Sequence, residues 1–218
     1  MLTNMRKGLI GRSAGRDAAK RGFTLTEIAI VLGIVGLILG AIWVAAAAVY
    51  NNLRTSKATT ELLTIVQNVR AMYATSSTVD PAATMPFTAV AVNTAPATYI
   101  AAGVFPADMV NAAGTLAQDP WNGSVAIVPA QSAAGTANDS FMVAFDRVPQ
   151  QACVNMITSN TGSGRDPQII GVSNAAAGTV PAAANATAFP VLAGTALATN
   201  CTVATAAGQS IGFTFKLK

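Results

Sequence analysis

Residues 20–44 read KRGFTLTEIAIVLGIVGLILGAIWV, and the fold turns on this stretch. One carboxylate, Glu27, stands at the head of a run otherwise suited to lipid. From Ile28 to Tyr50 there are 23 residues without a charged side chain. As a helix that run is about 35 Å long, enough to cross the hydrocarbon core of a bilayer. A basic flank ahead of an apolar run also describes a secretory signal, but the apolar region of a signal is about 7–15 residues long. The plain reading is a signal anchor with its basic end in the cytoplasm, by the positive-inside rule, and the rest of the chain outside. A charge inside such a segment is costly unless paired, so Glu27 is a functional hypothesis by default.

Charge and composition narrow the field. The chain of 218 residues has a formal charge of +4. Six of its 13 basic residues (Arg6, Lys7, Arg12, Arg16, Lys20 and Arg21) precede Phe23, against one acid, Asp17. Seven bases and eight acids remain after it, so the basic character belongs to the leader and not to the body. No basic patch with interleaved aromatics follows residue 22, and nucleic-acid binding is not indicated. With 52% hydrophobic and 10% charged residues, the chain suits one membrane-anchored domain.

The helical pattern continues beyond the apolar run. Leu62, Val66, Val69 and Tyr73 draw an apolar stripe on one face, with Glu61, Asn68 and Arg70 off it. No proline occurs between Phe23 and Asp80, and Pro81 closes the pattern. One long helix is expected from about Phe23 to about Thr75, apolar all round in its first half and amphipathic in its second. A globular head, residues 77–218, should pack on the second half. Strands are expected at Val125–Val128, Phe141–Phe145 and Ile169–Val172. Ile211, Phe213, Phe215 and Leu217 alternate on one face of a C-terminal strand. Pro149–Thr158 reads as a short helix opened by proline, and Pro106–Ala113 as another. The Ala/Thr/Asn/Gly tract Ser173–Thr199 reads as surface loop.

Few residues invite chemistry. There is no histidine and no CxxC, which leaves no ordinary zinc site, and neither a cofactor nor another metal is indicated. Asp80, Asp108, Asp119, Asp139, Asp146 and Asp166 are scattered in turn-like contexts, and no GxSxG or phosphate-binding glycine loop occurs. Asp119-Pro-Trp-Asn-Gly reads as a turn leading into a strand. An enzyme is not expected, and no catalytic residue is assigned. Cys153 and Cys201, 48 residues apart in the exported part, either pair where disulfides persist or remain two buried thiols. Gly33, Gly36 and Gly40 punctuate the apolar helix, and small residues at such spacing allow close helix approach in lipid.

Glu27 needs a cation at its own depth. A cut between Gly22 and Phe23 would create an α-amino group four residues before it. With an ordinary pKa of about 7.7–8.0, that amine is largely protonated at neutral pH. It could pair with Glu27 of its own chain or of a neighbour.

Lys20-Arg21-Gly22-Phe23-Thr24-Leu25-Thr26-Glu27, followed by an apolar helix, closely resembles the class III signal of type IV prepilins and related pseudopilins. The resemblance implies cleavage by a prepilin peptidase between Gly22 and Phe23 and N-methylation of Phe23. It also implies filament assembly in which Glu27 pairs with the terminal amine of a neighbouring subunit. The 22-residue leader and long head look like the type IVb pilins. Phe141-Met-Val-Ala-Phe-Asp-Arg-Val-Pro-Gln-Gln-Ala-Cys153 resembles their strand, link and cysteine-bearing helix, and Cys201 before a terminal strand matches their C-terminal disulfide region. Phe23 is the usual first residue of type IVa pilins, whereas the lack of a proline near Val44 favours type IVb.

The expected fold is therefore α+β: a leader over 1–22, an N-terminal helix over 23–76 with 23–50 in the membrane or filament core, and a head with an antiparallel sheet and a disulfide region over 153–201. The expected role is major subunit of a homo-oligomeric helical pilus, anchored in the inner membrane by a single pass and then extracellular. Its partners would be the lipid bilayer before assembly, the peptidase/methyltransferase and an inner-membrane assembly platform. The rival readings are a minor pilin, a type II secretion pseudopilin or a monomeric membrane-anchored adhesin.

Overall fold

A computed structural model describes residues 23–90, 97–132, 136–161, 168–183, 201 and 207–218. The leader over 1–22, and most of the tract expected as loop, lie outside these residues. The chain forms two compact units, Met1–Ala46 and Ala47–Lys218, with the division falling inside the first helix.

Helix α1 runs Leu25–Met72. Thr24 starts it, its Oγ1 accepting the Glu27 N–H at 3.2 Å, and this is the first half of a Thr-x-x-Glu capping box. The side chains over residues 23–53 are exposed. Burial begins at Thr55 and recurs at Ala58, Glu61, Leu62, Ile65, Val66 and Val69, at helical spacing. Glu61, expected off the stripe, is on it and only 5% exposed. Asn68 and Arg70 are also partly covered. Asn68 donates to the Val104 carbonyl at 2.9 Å, and Arg70 donates to Lys216 O at 3.3 Å. The helix ends a few residues before Thr75, with Tyr73–Thr75 as a turn.

The head adds a 3-10 turn at Pro81–Ala83 and a short helix α2, Thr98–Ala101. It continues with β1 Val125–Ala130, β2 Ser140–Val148, α3 Gln150–Asn160, β3 Ile169–Ala176 and β4 Gln209–Lys216. The four strands form one antiparallel sheet in the order β1-β2-β4-β3. The alternating C-terminal segment is thus a central strand. Pro129 is tolerated in β1 because β1 is an edge.

Alternation divides the sheet between two clusters. Ile211, Phe213, Phe215 and Leu217 join Val143, Phe145, Ile127, the buried stripe of α1 and the inner face of α3 in the main core. On the opposite face Ala126, Met142 and Ala144 meet Phe87, with Val180 and Ala183 packed against them. Gly212 lies on this side, between Ile211 and Phe213 of the main core, and a Cβ there would come 2.5 Å from the Met142 sulfur.

Two expectations need correction. Pro106–Ala113 is not a helix. Only one turn forms, from Met109 N to Pro106 O, before Val110 bridges to Ala117. The Asn111 Oδ1 accepts the Thr115 and Leu116 N–H groups at 2.9 and 3.1 Å. This local bonding offers the backbone an alternative to helix. The loop expected from Ser173 starts later, since Ser173–Ala176 pair with Gly212, Ile211, Ser210 and Gln209 of β4. Pairing with an ordered neighbour outweighs the weak strand preference of Ser-Asn-Ala-Ala.

Cys153, on α3, is bonded to Cys201 with Cα atoms 5.9 Å apart, within the usual disulfide range. Closing a loop of this size contributes about 2–4 kcal/mol. The Cys201 carbonyl also accepts a bond from Gln150 Nε2 at 3.0 Å.

Candidate functional site: the exposed N-terminal segment of α1

The sequence singles out Gly22, Phe23, Glu27, Gly33, Gly36 and Gly40. Gly22 lies outside the described residues. Phe23 is 76% exposed and shares a shallow pocket with Glu27, Ile28, Val31 and Leu32. Phe23 lies just ahead of the helix, and the two positions joined by the cleavage hypothesis line the same pocket. A Cβ added at Gly33, Gly36 or Gly40 would meet nothing within 4 Å, so no contact among the described residues requires glycine there.

Glu27 is the one charged side chain from Phe23 to Leu53. At the third helical position it faces the positive end of the helix dipole, which reduces the cost of its charge. Thr24 adds the helix cap to this segment, and Thr-x-x-Glu before an apolar run is itself an N-terminus signal. Of the helices among the described residues, α1 alone is long and apolar enough to cross a membrane, with a mean hydropathy of 2.8 over its most apolar 18-residue window.

The head carries a different kind of surface. Between α1 and α3 a groove is lined by Asn52, Thr55, Ser56, Thr59, Asn155, Thr158 and Ser159. Thr55, Thr59, Thr158 and Ser159 return their hydroxyls to carbonyls of their own helices. The groove lining offers hydroxyl and amide hydrogen-bonding groups.

Aspartates in the head act on the backbone. Asp119 Oδ1 accepts the N–H groups of Trp121 at 2.9 Å and Gly123 at 2.7 Å, closing the turn expected from Asp-Pro-Trp-Asn-Gly just before β1. Asp139 takes hydrogen bonds from the Ser132 N–H and hydroxyl and from Ser140 Oγ. Burial works against its charge, but these donors and Lys216 prevail and hold its pKa below the usual value.

A head with one antiparallel sheet and a disulfide, preceded by an apolar α1 opened by Phe-Thr-x-x-Glu, has the architecture of a helix-anchored subunit. Two family models match the chain. "PilS N terminal" covers residues 52–214, and "Prokaryotic N-terminal methylation motif" covers residues 17–43. The chain belongs to the PilS family and is a type IV pilin. That family is one of structural subunits.

Among solved structures the chain is similar to a type IV b pilin from Salmonella typhi, at 20% identity and a TM-score of 0.47 over 74% of this chain and 99% of that one. It is similar also to TcpA, a type IV pilin from Vibrio cholerae El Tor biotype, at 16% identity and a TM-score of 0.44 over 74% and 98%. Comparison with curated protein sequences finds no significant match.

Proposed function

We propose that the chain is the major structural subunit of a type IVb-like pilus. The observation that carries this is a helical surface, residues 23–53, exposed throughout and bearing one charge, Glu27. Apolar surface of this extent needs cover. Lipid supplies it before assembly, and the helices of other subunits supply it afterwards. Residues 1–22 are then a leader, 23–76 the pilin helix and 77–218 the head.

In this reading a prepilin peptidase cuts between Gly22 and Phe23, and the new Phe23 amine is methylated. Glu27 takes the terminal amine of a neighbouring subunit as its partner, and the pairing is strengthened by the low dielectric around it. An unpaired buried carboxylate is costly, so a subunit seats stably only where an amine meets Glu27. Gly33, Gly36 and Gly40 let neighbouring helices approach and let α1 loosen locally during assembly. The precursor sits in the inner membrane, an assembly platform there delivers it, and the product is an extracellular homo-oligomeric filament.

The test is the intact mass and N-terminal residue of the protein recovered from cells, beside a Glu27→Ala variant. A mature chain beginning at methylated Phe23 is expected in both, with Glu27→Ala absent from sheared surface filaments. A wild-type chain that keeps its leader would overturn the reading, as would normal filament yield from Glu27→Ala.

A further inference from the structure

Two buried carboxyl groups in the head each keep an oxygen with no donor. Glu61, on the core side of α1, is 5% exposed. Its Oε1 lies 3.5 Å from Lys57 Nζ, while its Oε2 takes no hydrogen bond among the described residues. Lys57 is itself drawn to Asp108, at 2.7 Å. Asp119 is 6% exposed. Its Oδ1 is filled by two backbone N–H groups, whereas its Oδ2 has no partner among the described residues. A buried ionised oxygen without a donor is expensive, and a proton is the simplest remedy.

We propose that Glu61 and Asp119 are a pair of proton sites through which the surrounding pH sets how tightly the Asp119–Gly123 turn and the second half of α1 are held in the head. The groups facing Glu61 are Lys57 from its own helix and Asp108 from the loop after α2. Those facing Asp119 are Asp146 of β2 and Glu61 itself, and Arg147 Nε lies 3.8 Å from the Asp146 Oδ2. Burial raises Glu61 to about 7, with Lys57 opposing and Asp108 adding. Burial likewise raises Asp119 to about 7, against the N–H groups of Gly123 and Trp121 and with help from Asp146 and Glu61.

Both folded values exceed the ordinary 4.5 and 3.8 of the unfolded chain. The folded head therefore binds these protons more tightly than the unfolded chain does. The stabilisation is fully present below the unfolded values and is lost as pH rises through about 7.

The experiment uses the full chain in detergent, in a Glu27→Gln background so that the helix carboxyl adds no signal. Thermal unfolding from about pH 4 to about pH 8 should show Tm falling by more than about 3 °C. In Glu61→Gln/Asp119→Asn, whose amides mimic the protonated acids, most of that fall should vanish. Difference infrared spectra of the parent should show a protonated-carboxyl band at about pH 6 that disappears near pH 8. A Tm independent of pH in the parent overturns the proposal, and so does an unchanged fall in the double variant. Should the double variant not fold, the absence of the band in the parent is equally decisive.

Discussion

Gly123 shows how much one residue carries. A Cβ there would stand 2.3 Å from the Asp146 carbonyl oxygen and 2.9 Å from Asp119 Oδ2. A backbone oxygen cannot swing aside as a side chain does, so Gly123→Ala should destabilise the head by about 1–3 kcal/mol. Equilibrium denaturation checks this, and wild-type stability in the variant would refute it. The turn around this glycine was legible in the sequence, because aspartate followed by Pro-Trp-Asn-Gly supplies both the acceptor and the left-handed conformer, Asn122 having φ 65°. Glu27 was legible too, as a charge with no local reason to be in an apolar run. Glu61 was not, though its spacing from Ala58 and Ile65 puts it on the buried face. Its charge argued for solvent, and only the surrounding packing shows how that charge is managed.

At the scale of the element, α1 has two surfaces under opposite demands. Its second half is fixed by a core, with Leu62, Ile65 and Val69 wholly buried against the sheet side of the head. Ile65→Ala should therefore cost about 2–5 kcal/mol of head stability. Ile38, 51% exposed in the first half, touches no core, and Ile38→Ala should leave unfolding of the head unchanged. Denaturant midpoints of the two variants separate the cases, and an equal loss in both would contradict the division. The existence of α1 and β4 could be read from the sequence because α1 opens with a long uncharged run that continues into an apolar stripe at helical spacing, while β4 alternates with a period of 2. Where short-range bonding competes, the pattern misleads. Asn111 captures the N–H groups of Thr115 and Leu116, and Pro106–Ala113 makes a single turn where a helix is expected. In Ser173–Ala176, long-range pairing with β4 makes a strand that no local pattern announces.

For the whole molecule, the division at Ala46/Ala47 separates two kinds of stability. The unit Ala47–Lys218 contains the core, the four-stranded sheet and the Cys153–Cys201 disulfide. Among the described residues it thus holds the buried core and the cross-link that oppose chain entropy. The segment from Phe23 to Ala46 has exposed side chains throughout and depends on whatever surrounds it. A chain starting at Ala47 should accordingly fold with the disulfide intact, remain monomeric without detergent and retain the fall in Tm with rising pH. Sedimentation and thermal unfolding would check these points, and an unfolded or detergent-dependent fragment would refute them. On the proposed assembly the same fragment should stay out of filaments, because it lacks Phe23, Glu27 and the three glycines. If it enters them with normal yield, subunit recognition resides in the head, and the exposed helix is an anchor without a share in assembly.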